Sequence, residues 1–106
     1  PNSAYIKLIE PLLKKIKFKK LISVRANLFL RDHVNNIHPQ HVDHSYDHKV
    51  LLYYVNSTNG GTLLDKKITI ECKQNRALFM NGDVWHSSIA QTNTKYRVGI
   101  NIGYIE

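Results

Sequence analysis

The stretch Leu21-Ile-Ser-Val-Arg-Ala-Asn-Leu-Phe-Leu30 alternates between apolar and mostly polar side chains. Successive side chains of an extended chain point to opposite faces, so this pattern predicts a β-strand. One face would carry Ile22, Val24, Ala26, Leu28 and Leu30, and the other would carry Ser23, Arg25, Asn27 and Phe29. A strand with a polar inner row suits a β-barrel whose interior is a binding site.

Further short strands are predicted along the rest of the chain. Runs rich in β-branched and aromatic residues place them at about 49–56, 62–64, 67–71, 76–80, 84–90 and 95–104. Turns are expected at Asn59-Gly60-Gly61 and Asn81-Gly82, and residues 31–48 are expected to form a long, histidine-rich polar loop. Many short strands separated by turns predict a mainly β protein, built as a sandwich or barrel of antiparallel strands.

The N-terminal segment has a helical period instead. Ser3 is placed to cap a helix whose apolar residues are Ile6, Ile9, Leu13 and Ile16. Pro11 would either kink this helix or start a second one near its first turn. We expect the helix to pack on the outside of the sheet.

Length and composition indicate one domain. The chain has 106 residues, so we expect a single domain over 1–106, with a helical segment at 1–20 and a β core at 21–106. Its one cysteine, Cys72, cannot form an internal disulfide. No apolar run approaches the roughly 20 residues of a membrane-spanning helix. Both features favour a reducing, cytoplasmic setting.

The positive charge is concentrated near the N-terminus. Residues 1–31 contain eight lysines and arginines against one acid, whereas residues 32–106 contain seven of each sign. The run Lys14-Lys-Ile-Lys-Phe-Lys-Lys20 could attract nucleic acid, an anionic membrane surface or an acidic protein, although a solvated helix face is the simpler interpretation. Nucleic acid is the less favoured partner, because no aromatic residues interleave with base-reading polar residues there.

The triplet His41-Val42-Asp43 suggests a metal site. His41 and Asp43 lie two residues apart, so in an extended segment both side chains point the same way and can reach one ion. His86, just after the Asn81-Gly82 turn, could supply a third ligand. Two imidazoles and one carboxylate on one face of a ferrous ion leave positions open for a chelating substrate and dioxygen.

Arg97 extends this pattern. The alternation of Lys95-Tyr-Arg-Val-Gly-Ile-Asn-Ile102 places Arg97, Gly99 and Asn101 on one face of a strand. A buried guanidinium needs a partner, and a carboxylate accepts its donors bidentately. Gly99 would leave room for such a ligand.

Each motif also has a simpler interpretation. His41-Val42-Asp43 could belong to a solvated loop, and His86 and Arg97 could be an ordinary core histidine and an ion-paired arginine. A zinc cluster of four histidines is another alternative, although no cysteine accompanies them and their spacing matches no familiar finger: His38, His41, His44 and His48. We expect His33, His38, His44 and His48 to be loop residues, and Trp85 to pack in the core.

Taken together, six segments resemble the 2-oxoglutarate and iron(II) dependent dioxygenases. They are Arg25-Ala-Asn-Leu28, His41-Val-Asp43, Lys49-Val-Leu-Leu-Tyr-Tyr-Val-Asn56, Gly60-Gly-Thr-Leu-Leu64, Arg76-Ala-Leu-Phe-Met-Asn-Gly-Asp-Val-Trp-His86 and Arg97-Val-Gly-Ile-Asn-Ile102. The chain looks most like the prolyl 4-hydroxylase-like branch, which includes short bacteriophage members. The resemblance spans about residues 21–104. One departure is Cys72-Lys-Gln-Asn75, where the pattern has a Pro-Lys-x-Gly turn.

The resemblance implies a fold, a site and a reaction. The fold would be a double-stranded β-helix, the jelly roll shared with cupins. The ligands of Fe(II) would be His41, Asp43 and His86. Arg97 and Tyr54 would hold the distal carboxylate of 2-oxoglutarate, with Asn27 and Asn101 as further polar contacts. With O2, the enzyme would hydroxylate a C–H bond and release succinate and CO2.

Other properties stay open at this point. The substrate could be a peptidyl proline, another protein side chain or a small molecule, and the oligomeric state is undetermined. The expected location is the cytoplasm, or the host cytoplasm for a viral protein. Two other hypotheses are a cupin-like metal enzyme of another reaction type, and a non-catalytic binding module recruited through the basic segment.

Overall fold

The computed structural model describes residues 6–106, and side chains from residue 10 onward. One helix, α1 (Ile6–Leu13), precedes seven strands: β1 (Lys20–Leu30), β2 (Lys49–Tyr54), β3 (Gly61–Leu64), β4 (Ile68–Glu71), β5 (Ala77–Asn81), β6 (His86–Ile89) and β7 (Tyr96–Ile105). All seven expected strands are confirmed, with their ends displaced by no more than two residues. The predicted cap, Ser3, lies outside the described residues.

The strands form two antiparallel sheets. One has the order β1-β7-β2-β5 and the other has the order β4-β3-β6. Residues 36–41 extend the second sheet, because they run antiparallel to β6 with bridges at Ile37–Ile89 and His41–His86. This part of the expected loop at 31–48 is therefore extended chain held by backbone hydrogen bonds. Two layers of four extended segments give the expected jelly roll.

The two faces of β1 and β7 differ as the alternation predicted. Arg25 is opposite Asn101, and Asn27 is opposite Gly99, on the inner face. A β-bulge between Leu21 and Ser23 interrupts the alternation. As a result Leu21, rather than the expected Ile22, packs with Val24 against the outer core.

The helix packs on the outside of the four-stranded sheet, as expected. The core there combines Leu51, Ile102 and Tyr104 with Ile16, and partly buried Leu12 and Leu13 pack against it. The helix runs through Pro11 and ends at Leu13, so no second helix starts at the proline. Ile16 belongs to the turn that follows, which is closed by short-range bonds such as Lys15 N to Leu12 O (3.0 Å). The helical segment is therefore shorter than the expected 1–20.

The turn before β5 contains one residue in a left-handed conformation. Asn75 has a φ of 64°, a left-handed conformation that glycine and asparagine tolerate best. Asparagine at this position is therefore compatible with the turn. Asp65 and Lys66 form the β3–β4 turn with φ values of 49° and 57°.

The two glycines of the expected turn at Asn59-Gly60-Gly61 are required by close packing. A Cβ on Gly60 would lie against the carbonyl oxygen of Ile89, and one on Gly61 would lie against that of Ile70. Neighbouring backbones therefore leave no room for a side chain at either position.

One expected core residue lies at the surface. Trp85 is 47 % exposed just before β6, so the prediction that it packs in the core is wrong. Ile68, on β4 of the same sheet, is also exposed. No other described residues fully bury these two apolar side chains. None of the helices in the described part of the chain is long and apolar enough to cross a bilayer.

Candidate metal centre and anion pocket

Backbone pairing brings the two histidines of the predicted metal site side by side. His41 N donates to His86 O at 2.9 Å, and His86 N donates to His41 O at 3.0 Å. Directly opposed residues in antiparallel chains place their side chains on the same face. The two imidazole centroids accordingly lie 4.4 Å apart.

Asp43 completes the group two residues after His41. Its Oδ1 lies 3.5 Å from His41 Nε2 and 4.0 Å from His86 Nε2. The side chains of Asp43 and His86 are 7 % and 6 % exposed, whereas that of His41 is 54 % exposed. The group is therefore held by the buried side chains of Asp43 and His86, and solvent can reach it on the His41 side.

The donor atoms fit one metal ion. The three ligand atoms lie within 4.8 Å of one another. Adjacent ligands about 2.1 Å from an ion are about 3 Å apart, so small side-chain movements would close the group around one ion. His86 Nδ1 donates to Val84 O at 3.0 Å, which leaves Nε2 with its lone pair toward Asp43. This arrangement could hold a metal with two nitrogen ligands and one oxygen ligand.

Two neighbours make weak contacts with the Asp43 carboxylate. Asn101 Nδ2 lies 3.4 Å from Oδ2, and Arg25 Nη2 lies 3.9 Å from Oδ1. Both distances exceed those of strong charge-assisted hydrogen bonds. A cation among the three ligands would therefore supply most of the compensation that this buried carboxylate needs.

A pocket lies beside the metal group on the inner face of the four-stranded sheet. Its wall includes both histidines and continues to Arg97, with Asn27, Gly99 and Asn101 between them. Arg97, Gly99 and Asn101 thus share one face, as the alternation of β7 predicted, and they line the same pocket as His41 and His86.

Arg97 is a buried cation without a carboxylate partner among the described residues. It is 4 % exposed, and no aspartate or glutamate of residues 10–106 pairs with it. One amino group, Nη1, donates to Ser88 Oγ at 2.9 Å and to Ile89 O at 2.8 Å, while the buried Nε has no partner in that range. Burial lowers the pKa of Arg97, but an arginine side chain stays charged in proteins.

Two aromatic rings help to enclose this cation. The Arg97 Cζ lies 4.5 Å from the Phe29 ring centroid and 5.9 Å from that of Tyr54. Cation–π contacts of this kind offset part of the cost of burial, about 0.5–2 kcal/mol each. They bring no negative charge, so the site remains suited to a bound anion.

Tyr54 lines the same pocket and bonds to Thr62. Its hydroxyl lies 2.5 Å from Thr62 Oγ1, and both residues are buried. Burial raises the pKa of Tyr54, while Thr62 and the charge of Arg97 act in the opposite direction. The phenol therefore stays protonated at neutral pH and can donate a hydrogen bond.

The two predicted asparagines occupy different positions. Asn27 is an exposed residue of the pocket wall. Asn101 is 8 % exposed and points its amide nitrogen toward Asp43, while its buried Oδ1 has no partner among the described residues. Asn101 thus contacts a candidate metal ligand directly.

The four histidines of the zinc alternative do not converge. Among described residues, only His41, Asp43 and His86 come close enough to share an ion. His48 is buried and donates from Nδ1 to Tyr46 O at 2.8 Å. Its ring packs against Gly82, where any side chain would collide with it. His48 is therefore a loop residue, as expected, but a buried one just before β2.

Several site residues were missing from the sequence predictions. Ser88 and Thr62 are the polar partners of Arg97 and Tyr54, and Phe29 covers the guanidinium. Phe29 carried a usable signal, since it continues the inner row of β1. Ser88 also had one, because it lies two residues after His86 on the same strand.

No family model and no curated protein matches this sequence. The solved structures provide a match to the crystal structure of a cupin protein from Bacteroides fragilis, with a TM-score of 0.64 and 14 % sequence identity. The match covers 89 % of this chain and 73 % of that chain. At this identity the similarity concerns the fold alone, and the chain has the jelly-roll fold of that cupin protein.

Proposed function

We propose that this protein is a 2-oxoglutarate-dependent Fe(II) dioxygenase that hydroxylates a C–H bond of a peptidyl substrate, such as a prolyl group, or of a small molecule. The observation that carries the proposal is the buried Arg97 guanidinium. It lines the same pocket as His41 and His86, which form a group with Asp43, and no described carboxylate neutralises it. A dicarboxylate could bind at both ends of the pocket, with one carboxylate at the metal and the other paired with Arg97.

The residues would divide the work between the two ends. His41, Asp43 and His86 would hold the metal, and Arg97 would hold the distal carboxylate of 2-oxoglutarate through its fork of donors. Tyr54 would donate a second hydrogen bond to that carboxylate by turning its hydroxyl from Thr62. Asn27 would contact the cosubstrate from the pocket wall. When bound, Fe(II) and 2-oxoglutarate supply oxidative decarboxylation by O2, which yields succinate and CO2 and drives hydroxylation of the substrate.

Several contacts would keep this machinery in place. The paired backbones of His41 and His86 fix their imidazoles relative to each other, and the Val84 carbonyl sets the tautomer of His86. Ser88 and the Ile89 carbonyl hold one end of the guanidinium. Phe29 and Tyr54 cover its faces and keep water away, which strengthens its attraction for a carboxylate.

Calorimetry under anaerobic conditions tests this proposal before any substrate is known. We expect 2-oxoglutarate to bind the Fe(II)-loaded protein, and succinate, which lacks the keto group, to bind much more weakly because it cannot chelate the metal. With O2 admitted, slow formation of succinate from 2-oxoglutarate should require Fe(II). Metal binding without any affinity for 2-oxoglutarate would overturn the proposal.

That negative result would support the second candidate, a metal enzyme of another reaction type. The jelly-roll fold and the His-Asp-His group support this candidate as well, since neither depends on 2-oxoglutarate. Arg97 would then bind a different anion. A non-catalytic module would instead show no metal affinity at all.

A further inference from the structure

We propose that the substrate is an acidic polypeptide segment, received by a basic strip that leads to the metal group. The strip consists of the lysines at the end of segment 14–20, Lys17, Lys19 and Lys20, and of Arg25. This inference rests on the proposed function, because it names the substrate class of the same site. Nothing in the dioxygenase chemistry itself requires such a strip.

The first part of the strip is a dense, accessible cluster of positive charge. Segment 14–20 contains five lysines and no acid, and all five lysines are exposed. None of them forms an ion pair with any residue in the described part of the chain. The segment has a defined position, since Ile16 is buried in the core and Lys19 N donates to Ile105 O at 2.7 Å.

The second part of the strip reaches the metal group itself. Arg25 Nη2 lies 3.9 Å from Asp43 Oδ1, and the Arg25 side chain is 55 % exposed. A guanidinium has five donors, so this weak contact leaves most of them available. A substrate carboxylate bound there would lie beside the position of the metal.

The register of β1 connects the two parts. Lys20 is opposite Ile105, and Arg25 is opposite Asn101, with the bulge between them. The bulge brings Lys20 onto the inner face with Arg25, because Leu21 and Val24 both belong to the outer core. The two cations are about 15 Å apart at the usual rise of a strand, which a few residues of extended peptide can span.

Charge and geometry together favour an acidic polypeptide over other anionic partners. A membrane surface or a nucleic acid could bind segment 14–20 through charge alone. Neither would explain an exposed cation next to a metal ligand on the inner face. A flexible acidic chain can reach both parts of the strip at once.

A binding experiment on the full chain tests the inference without turnover. The probe is a fluorescein-labelled peptide of alternating glutamate and glycine, and its neutral match has glutamine in place of each glutamate. Fluorescence anisotropy should show that the acidic peptide binds at least about tenfold more tightly, as a few exposed ion pairs allow. The difference should shrink as salt is added.

Two triple variants with equal changes of charge locate the binding. Lys17→Glu/Lys19→Glu/Lys20→Glu should weaken acidic-peptide binding about tenfold or more. The matched control, Lys66→Glu/Lys67→Glu/Lys73→Glu, changes exposed lysines in the turns on either side of β4 and should leave most of the affinity. Equal losses in both variants would contradict the inference, because they would indicate a response to net charge alone.

Arg25 tests the second part of the strip. Arg25→Gln should weaken binding of the acidic peptide to the metal-free protein several-fold, and Arg25→Lys, which keeps the positive charge, should restore most of it. An unchanged peptide affinity in Arg25→Gln would overturn the inference and leave the dioxygenase proposal standing. Conversely, absence of 2-oxoglutarate binding would overturn the dioxygenase proposal alone. Tighter binding of anionic vesicles or RNA than of the acidic peptide, insensitive to Arg25, would also overturn the inference.

Discussion

The two ends of the pocket are organised in opposite ways. At the metal end, Asp43 makes only long contacts, at 3.4 Å and 3.9 Å, with Asn101 and Arg25. At the other end, Arg97 is held by two hydrogen bonds of 2.9 Å and 2.8 Å and covered by aromatic rings. The metal end therefore depends on a ligand for its final geometry, whereas the anion end is preorganised.

This difference has an energetic reason. A carboxylate and two imidazoles near one another gain little until a cation joins them. A guanidinium has enough donors to be anchored by neutral groups and still face a ligand. We therefore expect substitutions at the metal end to abolish metal binding. Substitutions at the anion end should reduce the affinity for the cosubstrate by different amounts.

The largest expected effect is at His86, the buried histidine of the metal group. His86→Ala should weaken Fe(II) binding more than about 100-fold, because ligand loss exceeds the 10–100-fold cost of losing a partner that only orients a ligand. Anaerobic metal titration followed by calorimetry measures it. His38→Ala, which changes an exposed histidine outside the group, should bind metal normally. Normal metal affinity in His86→Ala would exclude this metal site.

A smaller effect is expected at Arg97. Arg97→Gln should weaken 2-oxoglutarate binding about 30-fold or more, since removing one partner of a buried charge pair costs about 2–5 kcal/mol. Metal affinity should be retained, which would separate the two ends of the pocket. Calorimetry with and without 2-oxoglutarate provides both numbers. Equal loss of metal and cosubstrate affinity would show that the pocket had collapsed instead.

Arg76→Gln is the matched control for that variant. Arg76 is a half-buried arginine outside the pocket wall, and it donates to Glu71 O at 3.0 Å. It should leave 2-oxoglutarate affinity unchanged. A comparable loss in both variants would contradict the assignment of the anion site to Arg97.

The smallest effect is expected at Tyr54, where a hydroxyl is removed without loss of the ring. Tyr54→Phe should weaken 2-oxoglutarate binding about 3–10-fold, as expected for one hydrogen bond to a charged group. Tyr53→Phe is the paired control, because Tyr53 also belongs to the pocket wall but its hydroxyl bonds to Asn75, which does not line the pocket. If both variants bind 2-oxoglutarate like the parent protein, Tyr54 does not contact the cosubstrate.

The comparison also separates what sequence could reveal from what it could not. Alternation along β7 predicted that Arg97, Gly99 and Asn101 share a face, and the structure confirms it. The spacing of His41 and Asp43 likewise predicted that they point the same way, and their atoms lie 3.5 Å apart. Such features are local, because strand geometry alone determines them.

Errors arose where packing overrides local pattern. Trp85 was expected in the core because a regular strand would point it away from the metal group, yet it is 47 % exposed. His48 lies in a loop, as its polar neighbours predicted, but they did not indicate that its ring is buried against Gly82. The bulge after Leu21 likewise exchanged the roles of two adjacent apolar residues, Leu21 and Ile22.

The sequence by itself determined the strand faces outside the β1 bulge, the helix on the outer surface and the residue types of the candidate site. The tertiary structure decided which distant residues meet: His41 with His86, Arg97 with Ser88, and Tyr54 with Thr62. It also decided that Arg25 lies beside Asp43 and that Arg97 has no carboxylate partner among the described residues. Side-chain alternation is a property of one strand, whereas these contacts depend on the pairing of separate strands and on the packing of two sheets.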